Sequence, residues 1–194
     1  MSETALLLLA AFSPELAGLD ANPPAGVHVA CTGIGALAAA VMTTRLLAEW
    51  RPDRVLFVGT CGAYDDRLAI GDGISVSTVR ATSLDEVEGR AYRPAPEHTL
   101  WNADWLPNLP AYEVAVTPAI TKTESGARSL ASVAAVEHLE LSGVFAACAQ
   151  AGVPVGAALA VANRVGPNAH REWLEHHALV SARLVAALRA LGCW

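Results

Sequence analysis

The chain has 194 residues, 53% of them hydrophobic and 16% charged, with a formal net charge of −6 at pH 7. Such a composition excludes a disordered chain and suits one domain, residues 1–194, with a sizeable buried core. The negative balance attracts neither a phosphate backbone nor an anionic lipid surface, so neither nucleic acid nor membrane is an expected partner.

In chain order, the apolar runs "TALLLLAAF" and "GVHVACT" predict two buried strands. "ALAAAVMTTRLLAEW" predicts a helix that begins near Gly35. "DRVLFVG" predicts a strand ending in glycine turns, "GTCGAYDDRLAIGDG", and "DGISVSTVR" predicts another strand with period-two alternation. Residues 81–110, rich in proline and carrying Trp101 and Trp105, lack a period and read as a functional excursion. "YEVAVTPAI" is a further strand, "ARSLAS" a short helix, and "VAAVEHLELSGVFAACAQAG" a strand that leads into a helix. "VPVGAALAVAN" predicts the last strand, and "HREWLEHHALVSARLVAALRAL" a closing amphipathic helix. Strands alternating with helices predict an α/β, three-layer αβα fold around a mainly parallel mixed sheet.

No run reaches the roughly 18 apolar residues of a spanning helix. Cys31, Cys61, Cys148 and Cys193 are far apart, with no CxxC pair, and read as reduced thiols of a cytoplasmic protein. "GIGALA" has the GxGxxA form of a dinucleotide fingerprint, but it follows the second strand and lacks the acidic partner about 20 residues on. Close packing at a helix N-terminus that faces an anion or polar ligand suits it better. His170, His176 and His177 lie on one helix without an HExxH pattern and read as its solvated surface; no metal or cofactor is expected. No GxSxG elbow is present. Glu15, Glu140 and Asn163 each fall where a strand ends, the edge at which parallel sheets bind ligands. Taken singly, each glutamate also suits the first turn of a helix.

Together, "AAFSPEL", "CTGIGALAAAV", "RVLFVGTCGAYDDRLAIGD", "VEHLELSGVFAACAQAGVP" and "AVANRVGPNAHREW" resemble the purine nucleoside phosphorylase and nucleosidase superfamily. Within it the chain is most similar to futalosine hydrolases of the alternative menaquinone pathway, and next to methylthioadenosine/S-adenosylhomocysteine nucleosidases. The resemblance implies hydrolysis of a purine nucleoside. It gives Glu140 the ribose hydroxyls, Leu139 the underside of the sugar, and Glu15 the attacking water. Gly59, Thr60 and Gly62 would form the small-residue segment beside the ribose and nucleophile. The loop from Thr117 to Thr123, with Ile120 and Thr121, would face the base. Asn163 stands where adenine-specific members carry an aspartic acid that protonates N7. In the superfamily an asparagine there accompanies 6-oxopurines, better leaving groups that need less proton donation.

Such chemistry suits these residue types. The ribosyl group becomes oxocarbenium-like in the transition state, where a nearby carboxylate stabilises developing charge. The family's phosphate-binding arginine is replaced by Phe57, which favours water as nucleophile over phosphate. Leu159, Ala162, Leu141 and Ser142 also depart from the pattern. The alternatives are a phosphorylase that uses Arg45, Arg67 or Arg90, an adenine-nucleoside hydrolase, and a non-catalytic nucleoside-binding protein. Trp101 and Trp105 add the expectation of a homo-oligomer, a dimer, to cover their apolar area.

Overall fold

The computed structural model describes residues 5–94 and 98–194. Its first strand, β1 (Leu6–Ala10), is buried at every position. Successive side chains of a strand leave on opposite faces. Leu7 and Leu9 accordingly enter one apolar cluster, and Leu6 and Leu8 another. A strand apolar on both faces must be covered on both, which places β1 inside a layered structure. β2 (Val27–Cys31) and β3 (Arg54–Ala63) pair with it in parallel on either side. α1 (Ala36–Trp50) and α4 (Leu141–Ala151) cover the Leu7 face, and α5 (Ala169–Ala190) covers the Leu8 face. The expected three layers and mixed sheet are thus present.

The other elements are β4 (Gly73–Ala81), α2 (Leu84–Val87), β5 (Leu100–Asn102), β6 (Ala111–Val116), α3 (Glu124–Leu130), β7 (Val136–His138) and β8 (Val155–Arg164). The sheet runs β2-β1-β3-β7-β6-β4-β5, and β8 pairs with both β3 and β4. The strands β3, β7, β6, β4 and β8 therefore close into a ring. At one point of that ring Gly62 pairs with Glu137 on one side and Asn163 on the other. The β3–β8 register slips just before Gly62, leaving Ala162 as the extra residue. Bulges of this kind re-aim side chains near sites. Here the slip brings Asn163 level with Gly62.

Two expectations change. Gly59 to Ala63 are not a turn but the second half of β3; the chain turns later, with Gly71 at φ +101°. Residues 81–110 are partly regular, since they contain α2 and β5, which pairs antiparallel with β4. Their tryptophans are half-buried within the chain itself. Trp101 packs on the Leu7 cluster and Trp105 on the Leu8 cluster, with the Arg54 guanidinium 4.8 Å from its ring centre. These tryptophans therefore no longer require a partner to cover them. Part of the stretch that motivated a dimer, residues 95–97, lies outside the described residues.

Candidate active site

A short 3-10 helix, Ser13–Leu16, follows β1 and turns Glu15 back beneath the sheet's edge, where it is 3% exposed. Pro14, in the first turn, presets the backbone for it. Glu15 Oε1 accepts from the Thr60 N–H at 2.8 Å and the Thr60 hydroxyl at 2.7 Å, and Oε2 accepts from the Ala11 N–H at 3.3 Å. The Trp173 indole N–H donates to the same Thr60 oxygen at 3.1 Å. That bond leaves the Thr60 proton directed at Glu15. Burial pushes the Glu15 carboxyl up to about 7; its hydrogen bonds act against the rise and the nearby Glu140 adds to it. A Cβ on Gly59 would stand 3.4 Å from both carboxylate oxygens, so the small residue leaves Glu15 its place.

Glu140 immediately precedes α4 and is buried. Its Oε1 accepts the Gly35 N–H at 2.8 Å, at the N-terminus of α1. The anion faced by "GIGALA" is therefore the protein's own carboxylate, held where the helix end favours negative charge. His138 supplies the α4 cap instead. Its Nδ1 accepts the N–H groups of Glu140 at 3.1 Å and Leu141 at 3.3 Å. A nitrogen that accepts two backbone protons carries none itself, and burial lowers the His138 pKa. The 3.3 Å contact from Nδ1 to Glu140 Oε2 is accordingly not an ion pair.

Glu137 is buried beyond Gly62, and Asn163 is buried on Gly62's other side. The Thr121 N–H donates to Glu137 Oε2 at 3.1 Å, while the Thr121 and Tyr64 hydroxyls donate to Oε1 at 2.6 and 3.4 Å. Burial raises the Glu137 pKa, and these bonds oppose the rise. Asn163 Nδ2 donates to the Arg164 carbonyl at 3.0 Å. A Cβ on Gly62 would meet that nitrogen at 2.8 Å, so only glycine leaves the amide room.

These groups converge on one cavity of about 290 Å³, near the lower limit for small-molecule sites. Of the residues expected in the site, Glu15, Thr60, Gly62, Ile120, Leu139, Glu140 and Asn163 line it. Gly59, Thr117 and Thr121 do not. Gly59 backs Glu15, Thr121 backs Glu137, and the Thr117 hydroxyl donates to the Ala119 carbonyl at 2.9 Å. The described lining holds no Arg or Lys. Arg67 and Arg90 bind Asp65 and Asp85, and Arg45 lies exposed beside Glu49. Phe57 is buried with its ring at right angles to His138. Among the described residues no cluster of His, Cys, Asp or Glu could hold a metal ion. None of residues 81–110 that is described lines the cavity, and β5 within them extends the sheet beside β4.

Sequence reasoning missed Glu137 and His138 as lining residues. The only local signal was a carboxylate and an imidazole inside the apolar run "VAAVEHL". The α5 histidines are also more than a solvated face. His170 lines the cavity, and Trp173 stacks between it and His177, with ring centres 6.1 and 4.2 Å away.

The model of the phosphorylase superfamily matches residues 25–121, half of the chain. A 5'-methylthioadenosine/S-adenosylhomocysteine nucleosidase of Shewanella sediminis is 31% identical over 135 residues, 68% of this chain and 54% of that protein. The enzyme of the same name from Shewanella sp. (strain W3-18-1) is 38% identical over 95 residues, 44% of this chain and 41% of its own. The chain thus spans about half the length of the curated relatives it matches. Among solved structures, a futalosine hydrolase mutant of Helicobacter pylori superposes with a TM-score of 0.84 at 15% identity, covering 98% of this chain and 99% of that one. The 5'-methylthioadenosine/S-adenosylhomocysteine nucleosidase of the same organism, with butyl-thio-DADMe-Immucillin-A, gives 0.85 at 15% identity, with coverage of 100% and 99%. At such identity the likeness is one of fold. With that fold, and with the family model matched over half its length, the chain belongs to the phosphorylase superfamily.

Proposed function

We propose that the protein hydrolyses the N-glycosidic bond of a purine nucleoside and releases the free base. The observation that carries this reading is the pair of buried carboxylates in one cavity, Glu15 on Thr60 and Glu140 on the α1 N-terminus. Glu140 would hold the ribose hydroxyls over Leu139, where its charge favours the oxocarbenium-like sugar. Glu15, pushed up to about 7, is poised to orient an attacking water and take its proton near neutral pH. Water rather than phosphate suits a described lining without Arg or Lys, because phosphate binding relies on such donors. Asn163 has an amide and no acidic proton, which supports a 6-oxopurine nucleoside of the futalosine type, with its place in menaquinone biosynthesis. A second reading, an adenine-specific nucleosidase, is favoured by the names of the curated relatives.

Free cysteines support a cytoplasmic setting. A homodimer is supported by a different surface from the tryptophan stretch. Ile34, Leu37 and Val41 are exposed on and just before α1, and they continue outward from the cavity, which Ile34 itself lines. The deciding assay measures release of hypoxanthine or adenine from inosine, futalosine, adenosine and methylthioadenosine, with and without phosphate. Release without phosphate supports hydrolysis, and strict phosphate dependence overturns it. If no nucleoside is cleaved, a binding role remains.

A further inference from the structure

Glu15 faces a cavity whose described lining holds no Arg or Lys, so its charge relies on neutral donors. The two shortest bonds to its carboxylate both come from Thr60, one from the N–H and one from the hydroxyl. The N–H is fixed by β3. The hydroxyl is a rotor, with one proton, two lone pairs and three staggered positions for that proton. Only one of those positions serves Glu15.

Trp173, 113 residues away in the chain, removes that freedom. An indole N–H donates and offers no lone pair to receive a proton. At 3.1 Å it occupies the Thr60 oxygen, which leaves the Thr60 proton for Glu15 Oε1 at 2.7 Å. A bond received at the oxygen also polarises the hydroxyl and strengthens the bond it gives. A tyrosine, histidine or glutamine in this place has an acceptor as well as a donor and would not enforce the direction. The indole is itself held by a stack of rings. The His177 ring centre lies 4.2 Å from it and nearly parallel, with Phe12 at 5.8 Å and His170 at 6.1 Å.

We propose that Trp173 is a positioning residue for Glu15: its N–H turns the Thr60 hydroxyl onto the carboxylate and favours the ionised form that accepts a proton from water. The proposal rests on the nucleosidase reading, in which Glu15 is the base. The other titratable groups around Glu15 are Glu140 before α4, Glu137 and His138 in β7, Cys61 in β3, Cys31 in β2, and His170 and His177 in α5. β1 contributes none. Burial, with carboxylates nearby, pushes both thiols up, and burial holds His138 down, so these three stay neutral near pH 7. Trp173→Phe changes none of these groups; it keeps a ring in the stack and removes the N–H.

The test is a carbon-13 NMR titration of the glutamate carboxyls in the full chain without ligand, for wild type and Trp173→Phe, with Glu15 assigned from Glu15→Gln. Wild-type Glu15 should titrate at about 7. Freeing the hydroxyl from one staggered position to three disfavours the ionised form by about a factor of three, so the variant midpoint should rise by about 0.5 pH unit. The acid limb of kcat/KM should move up with it, giving roughly a threefold extra loss on the acid side that disappears on the alkaline side. A loss of packing alone lowers kcat/KM equally at every pH. In a Thr60→Val background, with no hydroxyl to turn, Trp173→Phe should leave the Glu15 midpoint in place. Should Trp173→Phe not fold, wild type decides: the Trp173 indole proton resonance should titrate with the Glu15 midpoint, because the charged carboxylate strengthens the whole chain of bonds. An unmoved or lowered Glu15 midpoint in the folded variant, or an indole resonance in wild type that ignores that midpoint, overturns the role of Trp173. Absence of base release from any nucleoside, with both NMR effects present, overturns the nucleosidase reading and leaves that role standing.

Discussion

Glu15 is held by opposing forces: burial drives its carboxyl toward the protonated form, and three hydrogen bonds favour the charged form. Burial wins, which sets the pKa at about 7 against an ordinary 4.5. A raised pKa means that the folded state holds the proton more tightly than the unfolded chain. Its stabilising contribution is complete below the unfolded value and is lost as pH rises through about 7, roughly 3 kcal/mol in all. Glu15→Gln should therefore lose about 10²–10⁴-fold in turnover and yet melt at a higher temperature than wild type in mildly alkaline buffer. Calorimetry across pH should show that advantage shrinking toward pH 4.5. A constant difference at all pH values would mean that Glu15 does not titrate as its surroundings dictate. Wild-type kcat/KM should in turn rise as pH climbs through about 7, because the base must be ionised to accept a proton. This residue was legible in the sequence because it follows a strongly apolar strand and a proline. Glu137 was not, because an acid in a three-residue strand looks the same whether it faces water or a cavity.

Among the elements, the crossing of α1 and α4 governs where Glu140 sits. Gly143 in α4 lies so close to α1 that a Cβ there would stand 2.0 Å from the Ala36 carbonyl oxygen and 2.8 Å from the Ala40 nitrogen. The two helices also meet the site together, since Gly35 before α1 donates to Glu140 before α4. Alanine is ordinarily favoured over glycine in a helix by about 1 kcal/mol. Here the collision with backbone outweighs that gain, and overpacking costs about 1–3 kcal/mol. Gly143→Ala should lower the melting temperature by about 2–4 °C for each kcal/mol in a chain of this size. KM should rise with it as the helices part and Glu140 shifts. A variant that melts at or above wild type would show that the helices have slack. The strand and helix spans themselves were read well, because hydrophobic period is a local property. The extent of β3 was misjudged, because glycines read as turns when they are in fact small residues demanded by Glu15 and Asn163.

For the molecule as a whole, exposed Leu37, 81% accessible, with Ile34 and Val41 forms an apolar strip that begins at the cavity. Covering such a strip is the role expected of a second copy, and light scattering should give a dimer at micromolar concentration. Leu37→Glu should yield a monomer of unchanged circular dichroism; a wild-type monomer at high micromolar concentration would remove the dimer. The sequence by itself determined the layered α/β class, the superfamily, and the placement of Glu15, Glu140 and Asn163 at strand ends. The class and the placements follow from local pattern, since an apolar run folds inward and its polar terminus stays near the edge; the superfamily follows from the resemblance of the quoted segments to a known family. Tertiary structure alone decided that β8 joins both β3 and β4, closing the ring that sets Glu137 beside Asn163. It also decided that Thr121 stands behind Glu137 and that Trp173 reaches Thr60. These contacts join segments far apart in the chain, and their register depends on how all the layers pack at once, a property no local pattern encodes.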